Sequence, residues 1–417
     1  MATAAAVLAA VAAVLAGPVS LAFPLAAAGV LFLVRRPYSL LALYVFIGPF
    51  KDNAALVQAA PFDLTVGLGA LLAIVCLVRV VVGKGRSIPA GFSMLLLVLS
   101  IAAVISVGWS LAPDYGGAKA ETFLTLTLLA AIAPFFVIES EADLRRFFYW
   151  VVGLAVVASV LALTSGPPDP QSGLADRIGN SQLACAAALM MFLVALGNPT
   201  RRVWAIGIGV GLIVVAAIIG QRGPILGVAL ALGATATAWV LRAPHKVLPV
   251  LCVVAVGVAA APFVSLPETS SQRLAAAARD PVGTLEADSR AEVYRQAIDV
   301  IDEHPLRGAG IGGFEAVNPI KKWPHNLFLE LWAELGLVPV LVAVASFIAV
   351  LVGLFRAAWL ASDSSARELA YIVLAVTIFY LVTVQVSGDI NNRPFWALLG
   401  VAWLVAGHRL TPPADRI

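Results

Sequence analysis

The sequence predicts an all-α, polytopic membrane bundle of twelve to fourteen transmembrane helices with one long helical loop on a single side, and three observations carry that prediction. Of 417 residues, 61% are hydrophobic and only 12% charged, whereas a soluble chain keeps about a quarter of its residues charged. The apolar runs reach roughly 20 residues, the length a helix needs to cross a bilayer. Runs such as "VVGLAVVASVLAL" do not alternate as barrel strands would, and lipid leaves no partner for an open backbone, so helices are the spanning element.

Fourteen hydrophobic segments follow in order, near 3–16, 19–34, 38–50, 62–82, 91–109, 117–138, 142–164, 179–197, 201–219, 223–241, 246–263, 330–356, 366–387 and 392–408. The first three are short, and one pair among them reads as a re-entrant or half-length element. The opening "MATAAAVLAAVAAVLAGPVS" has no basic n-region, so it reads as a first helix and not a cleaved signal. Cys76, Cys185 and Cys252 all fall inside spans. Their uneven spacing makes neither a disulfide framework nor a metal site, and they read as small packing residues.

The chain divides into N-terminal membrane helices (1–263), an external helical loop (264–324) and C-terminal membrane helices (325–417), forming one integrated membrane domain. The short loops give its orientation. One side holds fifteen cations: Arg35, Arg36, Arg79, Lys84, Arg86, Arg145, Arg146, Arg201, Arg202, Arg242, Lys246, Arg356, Arg367, Arg409 and Arg416. The other holds five: Lys51, Lys119, Arg177, Arg222 and Arg393. The positive-inside rule places the richer side, and with it both termini, in the cytoplasm. No nucleic-acid partner is expected.

The long loop is too long to be a plain connection. "ETSSQRLAAAARD" and "DSRAEVYRQAIDVIDEH" both read as helices, the second opening with the capping box Ser289-x-x-Glu292. Val293, Ala297, Ile298 and Ile301 mark its apolar face, which should lie over the membrane domain as a lid.

Unusual polar residues gather on the loop side. Arg222 opens a span at the outer face. A charge near hydrocarbon is expensive and marks function by default, although an arginine can also snorkel to lipid headgroups. Arg290 stands in the first turn of the loop helix, where the dipole disfavours a cation by about 0.3–1 kcal/mol. A bound anion reverses that sign; a solvated surface arginine is the plainer alternative. In "KKWPHNLFLELWAELGLVPV" (321–340), Asn326 is a good N-cap with Glu330 and Glu334 in the first turns. Lys321, Lys322 and the positive helix end disfavour imidazolium, so His325 should be neutral and able to accept a proton while cations hold an anionic leaving group. An interfacial histidine at a helix start is the alternative. "GAGIGG" (308–313) matches G-x-G-x-x-G, but no strand precedes it, so it reads as a tight turn returning the loop to the membrane. Arg177 could join the basic ring; Asp389 and Glu121 are weaker polar candidates. No motif indicates a metal or a cofactor.

Three stretches resemble the bacterial O-antigen ligase and polysaccharide polymerase superfamily, integral membrane glycosyltransferases using polyprenyl-diphosphate-linked glycans. "QRGPILG" resembles its arginine at an outer helix start. "SRAEVYRQAIDVIDEHPLRGAGIGGFE" is similar to its loop helix with a following glycine turn. "PHNLFLELWAELGLVP" resembles its His-Asn signature, with Gly336 nine residues after Asn326. The specific resemblance covers about 222 to 340.

The resemblance implies a metal-independent, inverting glycosyltransferase of the GT-C type in the bacterial plasma membrane, with its site on the periplasmic or extracellular face. It implies Arg222 and Arg290 as diphosphate ligands and His325 as catalytic base or acceptor-positioning group. Arg177, Arg307, Asn326, Lys321 and Lys322 are secondary candidates. The implied donor is a glycan on undecaprenyl diphosphate, and the implied acceptor is a glycan, lipid A core or wall polymer, with membrane lipids around. Val338-Pro339 stand where the ligase signature has a small or hydroxylated residue, so ligase and polymerase both stay open. A lipid-linked glycan flippase is the non-enzymatic alternative; it predicts polar residues near mid-membrane, not at one face.

Overall fold

A computed structural model describes residues 29–50, 63–164, 174–197, 199–219, 222–242 and 289–407. Among the described residues the chain is helical and contains no strand. Eight helices there are long and apolar enough to cross a membrane, or nine if one bent pair counts as a span. The expected segments 3–16 and 246–263, most of 19–34, the loop helix at 268–280 and Cys252 lie outside the described residues. Cys76 and Cys185 are buried free thiols.

The bent pair is α1 (Gly29–Arg35) and α2 (Pro37–Phe46), which meet at 109°. Pro37 stands at the first position of α2 and Arg36 between the helices. Proline fits a helix start but cannot continue the ladder of the helix before it, and the chain turns there. Then come α3 (Leu64–Val81), α4 (Ala90–Ser106), α5 (Pro113–Val137), α6 (Glu141–Thr164), α7 (Leu174–Gly197), α8 (Arg202–Ile219) and α9 (Arg222–Arg242). α5 contains a π turn over Phe123–Thr127. After α10 (Ser289–Glu303), a helix over Leu327–Glu330 runs into a π turn over Leu331–Leu335, together α11. The series ends with α12 (Leu337–Leu360), α13 (Ser364–Ser387) and α14 (Arg393–Gly407).

α7 and α13 form the centre. Protein buries 83% of the span Ile178–Gly197 and 72% of α13, against 22% of α8. Small residues allow this: Ala184, Ala186, Ala187 and Ala188 are fully enclosed, and Gly209 of α8 admits the Phe192 ring to 2.7 Å of where a Cβ would stand. Close backbone approach through small residues is how helices associate where lipid is as apolar as leucine. The outer helices turn Ile74, Leu77, Leu97, Ile101 and Val160 outward.

Polar contacts gather at the two ends of the bundle. At one end Arg79 pairs with Glu139 at 2.6 Å and Arg145 with Glu368 at 2.8 Å, all near cations that the sequence assigns to the richer side. The opposite end carries α10, α11 and the glycine turn.

Two expectations need correction. The run 330–356 is not one span: Gly336, at φ 89°, separates α11 from α12. A Cβ at Gly336 would stand 2.1 Å from the Leu306 carbonyl oxygen, so the break needs glycine for both its left-handed backbone and its space. On α10 the buried stripe is Val293, Ala297, Val300 and Ile301, packed on Ala309, Phe314 and Ala333. Ile298 is 48% exposed, because 293, 297, 300 and 301 share one helix face and 298 does not.

Candidate functional site

The segment before α11 is held in an unusual backbone. Lys322 (φ 60°) and His325 (φ 57°) are the non-glycine residues with positive φ among those described. A left-handed residue costs about 1–2 kcal/mol, so the surroundings must impose it. Asn318 does much of this. Its side-chain oxygen accepts from Lys321 N–H at 2.9 Å, and its amide donates to Gln296 of α10 at 2.8 Å. Its carbonyl accepts from Lys322 N–H at 2.8 Å.

Asn326 then opens α11 as N-cap, its Oδ1 accepting from Phe328 and Leu329 N–H groups at 3.1 Å each. His325 is half-buried, with its ring 5.0 Å from that of Trp323. Burial, then the charges of Lys321 and Arg290, push its imidazolium pKa down from 6.5 to about 4. The imidazole is therefore neutral at physiological pH. Lys322, expected to share that role, instead pairs with Glu315 at 2.8 Å and lies 5.0 Å over the Tyr115 ring.

The C-terminal end of α13 is where the pieces meet. The Gln385 carbonyl accepts from the Tyr294 hydroxyl of α10 at 3.2 Å, one turn beyond Arg290. Gln385 Oε1 accepts from Phe328 N–H of α11 at 3.4 Å. Gly223, next to Arg222, faces Val386, with 3.3 Å between its Cβ position and the valine. Gln182 of α7 donates to Ser387 at 3.2 Å. So the starts of α7, α9, α10 and α11 gather on one helix end. Arg177 and Arg222 are described at the backbone only; Arg290 and His325 are close enough for their charges to interact. Arg307 lies elsewhere, in the exposed turn against Gly336, a full α11 length from His325. Glu121 is exposed.

Beneath this lies a cluster the sequence reading did not identify. Lys119 Nζ stands 2.7 Å from Glu330 Oε1 and 2.7 Å from Glu334 Oε2, with all three side chains at most 2% exposed. Ile390 N–H donates to Glu330 at 3.1 Å and Gly312 N–H to Glu334 at 2.8 Å. Burial pushes both carboxyls above their ordinary range, against the pull of the ammonium. Asp389, in the α13–α14 linker, lies within reach of the Lys119 charge.

Glu330 and Glu334 read as acids favouring a helix start; in the fold they are counter-ions that fasten α11 and the glycine turn to α5. Their signal was a four-residue spacing of charges in an otherwise apolar helix, together with a lysine opening a span. The glycine turn is stitched in as well. Ser110 Oγ donates to the Ile311 carbonyl at 2.8 Å, and Ile311 N–H donates to Ser106 Oγ at 3.1 Å. Gly310, at φ 85°, lies so close to α4 and α5 that a Cβ would be 2.3 Å from Ser110 Cα.

Residues 212–344 match the family model described as O-Antigen ligase. The match includes α9, the loop and α11, and it supports the resemblance to the O-antigen ligase and polymerase superfamily. With the apolar helices, it makes this a multi-pass membrane protein carrying an O-antigen ligase-like segment. No curated protein matches the chain.

Proposed function

We propose that this chain is a glycosyltransferase that moves a glycan from undecaprenyl diphosphate to an acceptor hydroxyl on the outer face of the bacterial plasma membrane. The supporting observation is the neutral His325 imidazole, held left-handed at the end of the bundle with Lys321 and Arg290 around it. The short-loop charge bias puts that end outside.

The acceptor oxygen attacks the anomeric carbon as the bond from that carbon to the diphosphate breaks, inverting the centre. The acceptor proton passes to the His325 imidazole. Negative charge collects on the departing lipid diphosphate, where Arg290, Arg222 and Lys321 stabilise it. The same anion, once bound, offsets the cationic field and makes the imidazole more basic, so the donor itself arms the base. Asn326, as N-cap, positions the histidine. Ligase and polymerase differ in this scheme only in which hydroxyl arrives.

The test uses the purified full-length protein with lipid-linked glycan. His325→Ala abolishes transfer and leaves donor binding intact; full turnover by that variant removes the base assignment. Mass spectrometry of the glycan in a deletion strain and its parent identifies the acceptor.

A further inference from the structure

Two buried nitrogen donors flank the start of α11. Among the described residues nothing accepts from Trp323 Nε1 or from Gln385 Nε2. Most buried polar groups in folded proteins are paired, so two orphans at one helix start ask for a ligand. The Trp323 ring lies 5.0 Å from that of His325. Gln385 is anchored on its other atoms: its carbonyl takes the Tyr294 hydroxyl, and its Oε1 takes Phe328 N–H. That second bond also fixes which side-chain atom is nitrogen, because an N–H needs an oxygen opposite it.

We propose that Trp323 and Gln385 complete the anion subsite, each donating a hydrogen bond to a non-bridging oxygen of the donor's diphosphate beside Arg290 and Lys321. This rests on the reading that a diphosphate-linked glycan occupies this end. The chemistry of the donors selects phosphate over sugar. An indole N–H only donates, and the unpartnered Gln385 atom is its amide nitrogen, which also only donates. Phosphate oxygens only accept, whereas a sugar hydroxyl also needs an acceptor for its proton. Guanidinium and ammonium groups supply attraction; two fixed, uncharged donors supply direction.

The experiment measures binding of inorganic pyrophosphate, lipid-linked glycan and free glycan to the full-length chain in nanodiscs, together with transfer kinetics. Trp323→Phe keeps the ring beside His325 and removes the N–H. Gln385→Met keeps the side-chain length, removes the NH2 group without adding a charge, and leaves Phe328 N–H its bond to Asn326 Oδ1. Each variant should weaken pyrophosphate and lipid-linked donor by roughly ten-fold or more, with free-glycan affinity held within about three-fold.

Unchanged pyrophosphate affinity in Trp323→Phe overturns the proposal, and so does a loss confined to the free glycan, which assigns the donors to hydroxyls. Should Trp323→Phe not fold, Gln385→Met decides by the same criteria. A wild-type protein that binds pyrophosphate through these two residues but transfers no glycan defeats the functional reading and leaves the subsite standing.

Discussion

Replacing Lys119 by methionine keeps the length of the side chain and removes its charge. The ammonium lies 2.7 Å from each of two carboxylates, and no member of the trio is more than 2% exposed. Without it, Glu330 keeps only the Ile390 N–H and Glu334 only the Gly312 N–H. Both acids must then take up protons or stay ionised where no counter-charge reaches them. Breaking a buried pair in this way costs about 3–5 kcal/mol, a large part of a typical folding free energy of roughly 5–15 kcal/mol. On the scaling of folded domains, for 417 residues this corresponds to a melting shift of roughly 3–6 °C.

The assay is thermal unfolding in one fixed detergent, followed by intrinsic fluorescence, for wild type, Lys119→Met and the triple variant Lys119→Met/Glu330→Gln/Glu334→Gln. The glutamines keep an oxygen for each backbone N–H, so the triple variant should regain most of the loss. Transfer should fail in Lys119→Met well below its melting point, since Glu330 sits one turn after Asn326 and holds α11 in place. A single variant that melts with wild type, or a triple variant no better than the single, refutes the charge argument.

Four further outcomes follow from the same geometry. The acid limb of kcat/KM should fall near pH 4, where the half-buried imidazole of the free protein titrates, and not near 6.5; a limb at 6.5 shows that the site does not depress the imidazole. The same depressed pKa means the unfolded chain binds the His325 proton more readily, so its contribution to stability is complete above about pH 6.5 and fades down to about pH 4; melting of His325→Gln against wild type across that window checks it. Gly310→Ala places a methyl 2.3 Å from Ser110 Cα in a left-handed backbone, so it should cost at least about 1–2 kcal/mol, read as a lower melting temperature and reduced folded yield. Asn326→Ala removes the cap on Phe328 and Leu329, costing about 1 kcal/mol, measured by the same melting curves.

What the sequence made legible was local. The cap at Asn326 follows from residues within a few positions of each other, and the structure has Asn326 as cap; the neutrality of His325 was expected from neighbouring cations, whereas burial leads it, followed by Lys321 and the distant Arg290. The glycine run at 308–313 read correctly as a turn, because no strand stands before it. The Lys119 cluster joins positions 215 apart, and each member alone is an ordinary charge near a helix end. Gly223, next to Arg222, and α10 both meet α13 at Gln385 and Val386, residues with no local sign of being a hub. The break at Gly336 was hidden for another reason: apolar residues continue on both sides, so hydropathy sees one span where dihedral angles make two helices. Ile298 and Val300 differ by two positions and little in hydrophobicity, and only the facing surface of Phe314 and Ala333 decides between them.

The interruption at Gly336 also isolates the histidine from the mechanics of the bilayer. A spanning helix tilts when the hydrocarbon around it thins or thickens. Were α12 continuous with α11, every such tilt would swing the imidazole through an arc. Because the helix breaks at a glycine, and α11 is moored separately to Lys119, the two are not one rod, and a tilt of α12 need not carry through to His325.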